Sequence, residues 1–269
     1  SKMKRNADGS APDGQFFCSL NRSTMEADFL IPALPPGKYA FAMVTVGGSE
    51  TTSPGTAIGA TATIPAAGGT APASASTETI APWRLSFLMR QEQTRWLLAG
   101  FFPKPLTAAG HDGLWYWTHA RQFAKEGQAW NAWLYYKTAM MLLQPADFVV
   151  STHLDKLKTE TSAAAPPPLS QGVSPDAPLV VKGPKGEDYY FTSLGVDDSM
   201  GPGALDVAAR VRAESTSDPA AARQYNTDAM SALLSAYPEI RKPFHGIVIE
   251  ADAPGQNPVV TELPMAEIK

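Results

Sequence analysis

The apolar residues of this 269-residue chain change their spacing along its length. That change predicts an α+β fold: a β-rich N-terminal part with a packed helical hairpin, then a two-layer β3-α-β2 C-terminal domain. Three observations carry the prediction. Residues 16–103 alternate apolar and polar in steps of two, as half-buried strands do. Residues 113–143 repeat at helical spacing between a capping aspartate and a proline. Residues 179–269 return to the two-residue period, interrupted by one amphipathic helical stretch.

Composition narrows the functional classes. With 44% hydrophobic and 9% aromatic residues the chain can bury a core, which argues against disorder. Its 24 prolines and 21 glycines gather in a few runs that read as spacers. Net charge is −4 and no basic block exceeds "KMKR", so the basic stripe that nucleic acid requires is missing. Cys18 is the single cysteine, leaving no intrachain disulfide and no cysteine-based zinc site. Phe17 before it is too large for a lipid-attachment motif, so a buried thiol is expected. No apolar run approaches the ~18 residues of a membrane-spanning helix, and no signal-peptide pattern is visible. Ala/Thr/Pro/Gly-rich spacers with few lysines point to a periplasmic or secreted setting. No cofactor and no metal are expected.

Taken in order, residues 1–15 form a flexible lead-in. "ADFLIPAL", the turn "PPGK", "YAFAMVTV" and "TAIGATATI" read as strand, turn, strand and strand, and 64–82 as a long loop. "WRLSFLMRQEQTRWLLAGFF" reads as a hairpin about "RQEQT". Leu85, Phe87 and Met89 point one way, and Trp96, Leu98 and Gly100 form the matching set. This pair resembles the closing strands of nuclear-transport-factor-like domains, and "LPPGKYAFAM" resembles the turn and strand of carboxypeptidase-regulatory-like β-sandwich modules. Both resemblances imply β structure.

Asp112 is a good N-cap for a helix over 113–126, and Gly127 a plausible residue just past its end. A second helix covers 129–143 and stops at Pro145, and a third is expected over 151–161. Ala120, Phe123, Ala132, Tyr136 and Ala139 stand in a small–large–small arrangement around Gly127. In this spacing 113–145 resembles one tetratricopeptide repeat, a helical hairpin of a type that mostly binds proteins. Repeats of this kind need about three stacked units to stand alone. A solitary one must pack on something else, and the preceding β segment is expected. The domain assignment is therefore 16–161 for the β-rich part with its helices, 162–178 for a Pro-rich linker, and 179–269 for the α+β domain.

In that last domain "PLVVKGP" and "DYYFTSLGV" pair about "KGE", and "ALDVAARVRAE" makes a third strand. Asp218 caps a helix with Pro219 in its first turn, followed by strands in "FHGIVIEADA" and "NPVVTELPMAEI".

No G-x-S-x-G elbow, H-E-x-x-H pair, Walker loop or G-x-G-x-x-G fingerprint occurs, and no residue is assigned a catalytic role. Four polar residues remain as weak candidates. His111 stands beside the capping Asp112. His245, Glu250 and Asp252 lie on or beside one strand, with Glu250 and Asp252 on one face and His245 on the other. "GVDDSMGPG" (195–203) lacks the ordered spacing of a calcium loop and reads as a turn.

The aromatic residues carry more weight, because all six tryptophans fall between 83 and 133. Trp130, Trp133 and Lys137 share one side of the second helix, with Trp117 and Arg121 on the first. These five are the candidate ligand- or partner-binding residues. The expected role of the Trp130/Trp133 stripe is packing against Trp83 and Trp96. The alternatives are a peptide or carbohydrate groove, or a site for an apolar small molecule.

The expected function is a non-enzymatic interaction or scaffold protein with a protein or peptide partner, in a bacterial envelope or the secreted space. The alternative is a small-ligand-binding or hydrolase-like protein with a pocket between the sheet and the Trp-rich helices. The oligomeric state is left open.

Overall fold

The computed structural model describes residues 37–47, 81–169, 172–199, 201 and 203–269. It also gives the backbone of two short paired strands, β1 (Lys2–Met3) and β2 (Glu26–Ala27). Cys18, the lead-in apart from Lys2–Met3, the "TAIGATATI" strand and nearly all of "ADFLIPAL" and of the 64–82 loop lie outside the described residues. The fold is α+β, as the spacing predicts. The chain divides into two compact units, one of 1–106 with 145–151 and one of 107–144 with 152–269.

The first unit is built on an antiparallel sheet of β3 (Tyr39–Val46), β4 (Trp83–Glu92) and β5 (Arg95–Pro105), in that order. The β4–β5 turn is tight, with Gln93 at φ 55°. Met89 faces Leu98 and Gln91 faces Trp96 across the hairpin. An irregularity between Leu88 and Met89, however, puts Gly100 opposite Leu88. Gly100 thus leaves the expected set of Trp96 and Leu98 for the other side of the sheet. That other side, with Arg84, Ser86 and Leu88, is the buried one. Phe148, from the 145–151 segment, sets its ring edge-on to Phe41 and Phe102 there, at 5.6 and 5.3 Å. The reverse face leaves Val44, Val46, Trp83, Trp96, Leu98 and Phe101 exposed.

The second unit begins with a minute hairpin, β6 (Thr107–Ala108) and β7 (His111–Asp112). Helix α1 (Gly113–Lys125) follows, with Asp112 Oδ1 accepting the Trp115 N–H at its start. At its end Gly127 takes φ 75°. The N–H groups of Gly127 and Gln128 return to the carbonyls of Ala124 and Phe123, satisfying groups a helix end leaves open. Helix α2 (Ala129–Leu143) packs antiparallel to it, with Ala120, Ala132 and Ala139 fully buried where the helices meet. At Gly113 an added Cβ would lie 2.5 Å from Leu143 Cγ, so only glycine permits that approach. Helix α3 (Thr152–Ala163) lies against α2.

The remainder is the expected β3-α-β2 order. Strands β8 (Leu179–Lys182), β9 (Asp188–Asp197) and β10 (Asp206–Arg212) precede α4 (Pro219–Ala236). After a short 3₁₀ turn (Pro238–Arg241) come β11 (Gly246–Asp252) and β12 (Val259–Pro264). The sheet order is β12-β11-β10-β9-β8. Only β10 and β11 are parallel, because α4 supplies the crossover that parallel neighbours need. Phe191, Val207, Val211, Ile247 and Ile249 line its apolar face at full burial, against Met230, Leu233 and Leu234 of α4.

Two features of the expected organisation change. The helical hairpin belongs to the same compact unit as the C-terminal sheet, not to the β-rich N-terminal part. The 162–178 run is no free linker either: Leu169 is buried, and Ala164, Ala165 and Val173 pack against the core. The prolines turn the chain in a 3₁₀ step over Pro167–Leu169.

Candidate functional site

Helix α2 has buried side chains on every side, ten in all across its fifteen residues. A helix apolar all round must be covered all round. Its coverage comes from α1, from α3 and from the C-terminal sheet with the turn after α4. Trp130 is 5% exposed, and its indole lies on the Tyr237 ring with centroids 4.0 Å apart. Its backbone N–H donates to Glu239 Oε1 at 2.7 Å, and Asn131 Nδ2 donates to the Glu239 carbonyl at 2.8 Å. A carboxylate at this position satisfies a first-turn donor and meets the positive end of the helix.

Trp133 is 9% exposed and sits under the Lys137 ammonium at 4.5 Å. That ammonium also donates to the Leu194 carbonyl of β9 at 2.7 Å. Lys137 is exposed as a residue, yet its ammonium bonds to the Leu194 carbonyl, and desolvation pulls its pKa below the ordinary lysine value. Trp130, Trp133 and Lys137 therefore join the hairpin to the C-terminal sheet. Trp83 and Trp96, their expected partners, remain about two-fifths exposed on the other unit's sheet, at 40% and 41%.

The two remaining aromatic and basic candidates come together elsewhere, between α1 and α3. Arg121 grips Glu160 with two parallel bonds, Nε to Oε2 at 2.7 Å and Nη2 to Oε1 at 2.8 Å. Trp117 Nε1 donates to Glu160 Oε2 at 2.7 Å, and the Arg121 guanidinium lies 4.6 Å from the Trp117 ring centroid. The Arg121 hydrogen bonds hold the Glu160 carboxyl below the usual range, and those same bonds raise Arg121. Beside this clasp opens a cavity of about 280 Å³, lined by Leu114, Trp117, Thr118, Arg121, His153 and Lys156. Of this lining Leu114, at 60%, His153 and Lys156 are exposed. Trp117 and Arg121 stand out in the sequence, Leu114 and Lys156 do not, and His153 reads there as a capping or solvated helix position. Leu114 carries a local signal, an apolar residue off the buried face of α1.

The polar candidates divide as well. Glu250 pairs with Arg210 across β10–β11 at 2.9 Å, and Asp252 is exposed beyond it, so both belong to the solvated face of the sheet. His245 turns instead to Asp206, a partner the sequence did not suggest. Its Nδ1 lies 3.3 Å from Asp206 Oδ1, while the Asp206 side chain is fully buried and Oδ2 has no hydrogen-bond partner among the described residues. Burial pushes the Asp206 carboxyl above its ordinary pKa, against the opposing pull of His245 and the Gly246 N–H.

His111 stacks on Trp115 at 3.7 Å, nearly parallel, and His119 covers the opposite face at 3.8 Å. His119 also has a backbone contact, Nδ1 to the Trp115 carbonyl at 2.8 Å. The Asp198 carboxylate accepts the Ala109 N–H, fixing the β6–β7 turn. Among the described residues no group of three or more His, Cys, Asp or Glu is placed to hold a metal ion. No helix among them is long and apolar enough to cross a membrane.

Comparison with family models, with curated proteins and with solved structures returns no match for this chain.

Proposed function

We propose that this chain is a protein-interaction module whose docking surface is the α1–α3 face, not the tryptophan stripe of α2. The observation that carries the reading is the cavity beside the Trp117–Arg121–Glu160 clasp. It opens to the surface and is lined by the Trp117 indole and the exposed Leu114. At about 280 Å³ it lies just below the range of small-molecule sites, about 300 to 1,000 Å³. That volume suits one side chain of a peptide better than a cofactor. The clasp fixes the two helices and so presents a preformed surface, which lowers the ordering cost of binding. The tetratricopeptide-like spacing of 113–145 and the compositional hint of a periplasmic or secreted setting are parts of the same proposal.

The test is selection of random peptides displayed on phage against the immobilised full chain. Enriched peptides that lose binding to Leu114→Asp, and keep it for an exposed change on β8 such as Val180→Asp, support the reading. Enriched peptides indifferent to Leu114→Asp contradict it.

A small-ligand-binding or hydrolase-like role is the second reading, and the Asp206–His245 pair is the observation that favours it. A buried carboxylate facing a half-exposed imidazole resembles the orienting half of an acid–base pair. Ester hydrolysis that disappears in His245→Ala would favour that reading over docking.

A further inference from the structure

Resting on the docking reading, we infer that the α1–α3 cavity takes the apolar side chain of an acidic peptide. Lys156 and His153 line the cavity, while the charge of Arg121 in the same lining is offset by its pairing with Glu160. The nearby acid, Glu160, is already committed: Arg121 holds both its oxygens, and Trp117 donates to one of them. An incoming carboxylate therefore meets the exposed Lys156, whose nearby acid Glu160 is already bonded to Arg121 and Trp117; no acid is among the lining residues.

A basic peptide would be repelled at the rim, where charge governs encounter and register. The apolar preference comes from Leu114 and the Trp117 indole, the two apolar residues of the lining, against which a polar side chain would lose water without gaining a partner.

The experiment measures anisotropy of fluorescein-labelled Asp-Asp-Leu-Asp-Asp, Lys-Lys-Leu-Lys-Lys and Asp-Asp-Gly-Asp-Asp on the full chain at low ionic strength. The acidic leucine peptide should bind most tightly, and the glycine peptide should be weaker. Lys156→Glu should weaken the acidic leucine peptide about tenfold, the scale of one reversed charge near a protein surface. Lys158→Glu, an equally exposed change on α3, should leave it unaltered, which separates local recognition from net charge. Equal binding of the basic peptide overturns the inference, and so does equal weakening by the two lysine variants. If no short acidic peptide binds while phage-selected peptides depend on Leu114, acid preference falls and docking stands. If selected peptides ignore Leu114, both fall together.

Discussion

Trp130→Ala should destabilise the second unit heavily, and the structure sets the scale. The indole is 5% exposed and is stacked on Tyr237 at 4.0 Å. Truncating a buried tryptophan to alanine removes its transfer energy and leaves a cavity, a loss of about 3–5 kcal/mol. In a unit of this size each kcal/mol lowers the melting midpoint by roughly 2–4 °C, so a fall of about 6–20 °C is expected. All four α-helices among the described residues lie in that unit, so the 222 nm circular-dichroism melt reads it. Trp96→Ala, at a side chain 41% exposed on the other unit, is the matched control and should move the helical melt little. The reasoning is refuted if Trp130→Ala melts within about 2 °C of the parent chain. A tryptophan so easily removed would be a surface residue, and the stripe would return as a binding groove.

Three further outcomes follow from the same geometry. Glu160→Gln should lower stability by about 1–2 kcal/mol at neutral pH, a modest value because Arg121 is partly solvated. Since Arg121 holds the folded-state pKa of Glu160 down, its contribution is present above the ordinary carboxylate range. Parent and variant should therefore converge in urea midpoint as pH falls through that lowered pKa. Asp206 has the opposite sign: its pKa is raised by burial, so the folded state holds the proton longer and loses stability as pH rises through that raised value. Asp206→Asn should flatten the slope of midpoint against pH just above the ordinary aspartate range, and an unchanged slope would contradict the burial argument. Thermolysin under native conditions should spare 162–178, because Leu169 and Val173 pack against the core; an early cut before either residue would show the segment to be loose.

Local chemistry was legible in the sequence, and long-range partnership was not. Asp112, Gly127 and Asp218 mark helix ends through bonds spanning a few residues, so reading the sequence places α1, α2 and α4 closely. The β3-α-β2 order follows from periodicity and turn residues in the same way. The sequence sets the Trp130/Trp133 stripe against Trp83 and Trp96, near it in the chain, whereas Tyr237, far along the chain, covers Trp130. Glu239 and Leu194, which tie the hairpin to the C-terminal sheet, lie 109 and 57 residues from their partners. The three prolines of 166–168 carry the composition of a spacer, and only the burial of Leu169 shows the segment to be packed.

The candidate site divides along the same line. Trp117 and Arg121 stand out by type, whereas Glu160, the acid that organises them, is 39 residues beyond Arg121 on a helix with no aromatic residue. Asp206 is likewise 39 residues from His245, while Glu250 and Asp252, near in sequence, point to the solvated face. On the sheet of β3–β5, alternation correctly groups Leu98 with Met89. One irregularity at Leu88/Met89 was enough to move Gly100 to the opposite side.

On the proposed reading the α1–α3 face, and not the α2 stripe, receives a peptide. The most direct measurement is a ¹⁵N-resolved chemical-shift titration of the full chain with a phage-selected peptide, following backbone amides and tryptophan indole N–H groups. Saturable shifts are expected at Leu114, Trp117, Thr118, His153 and Lys156, with the Trp130 and Trp133 indoles unmoved. Shifts centred on Trp130 and Trp133, with Leu114 and Lys156 silent, would contradict that reading.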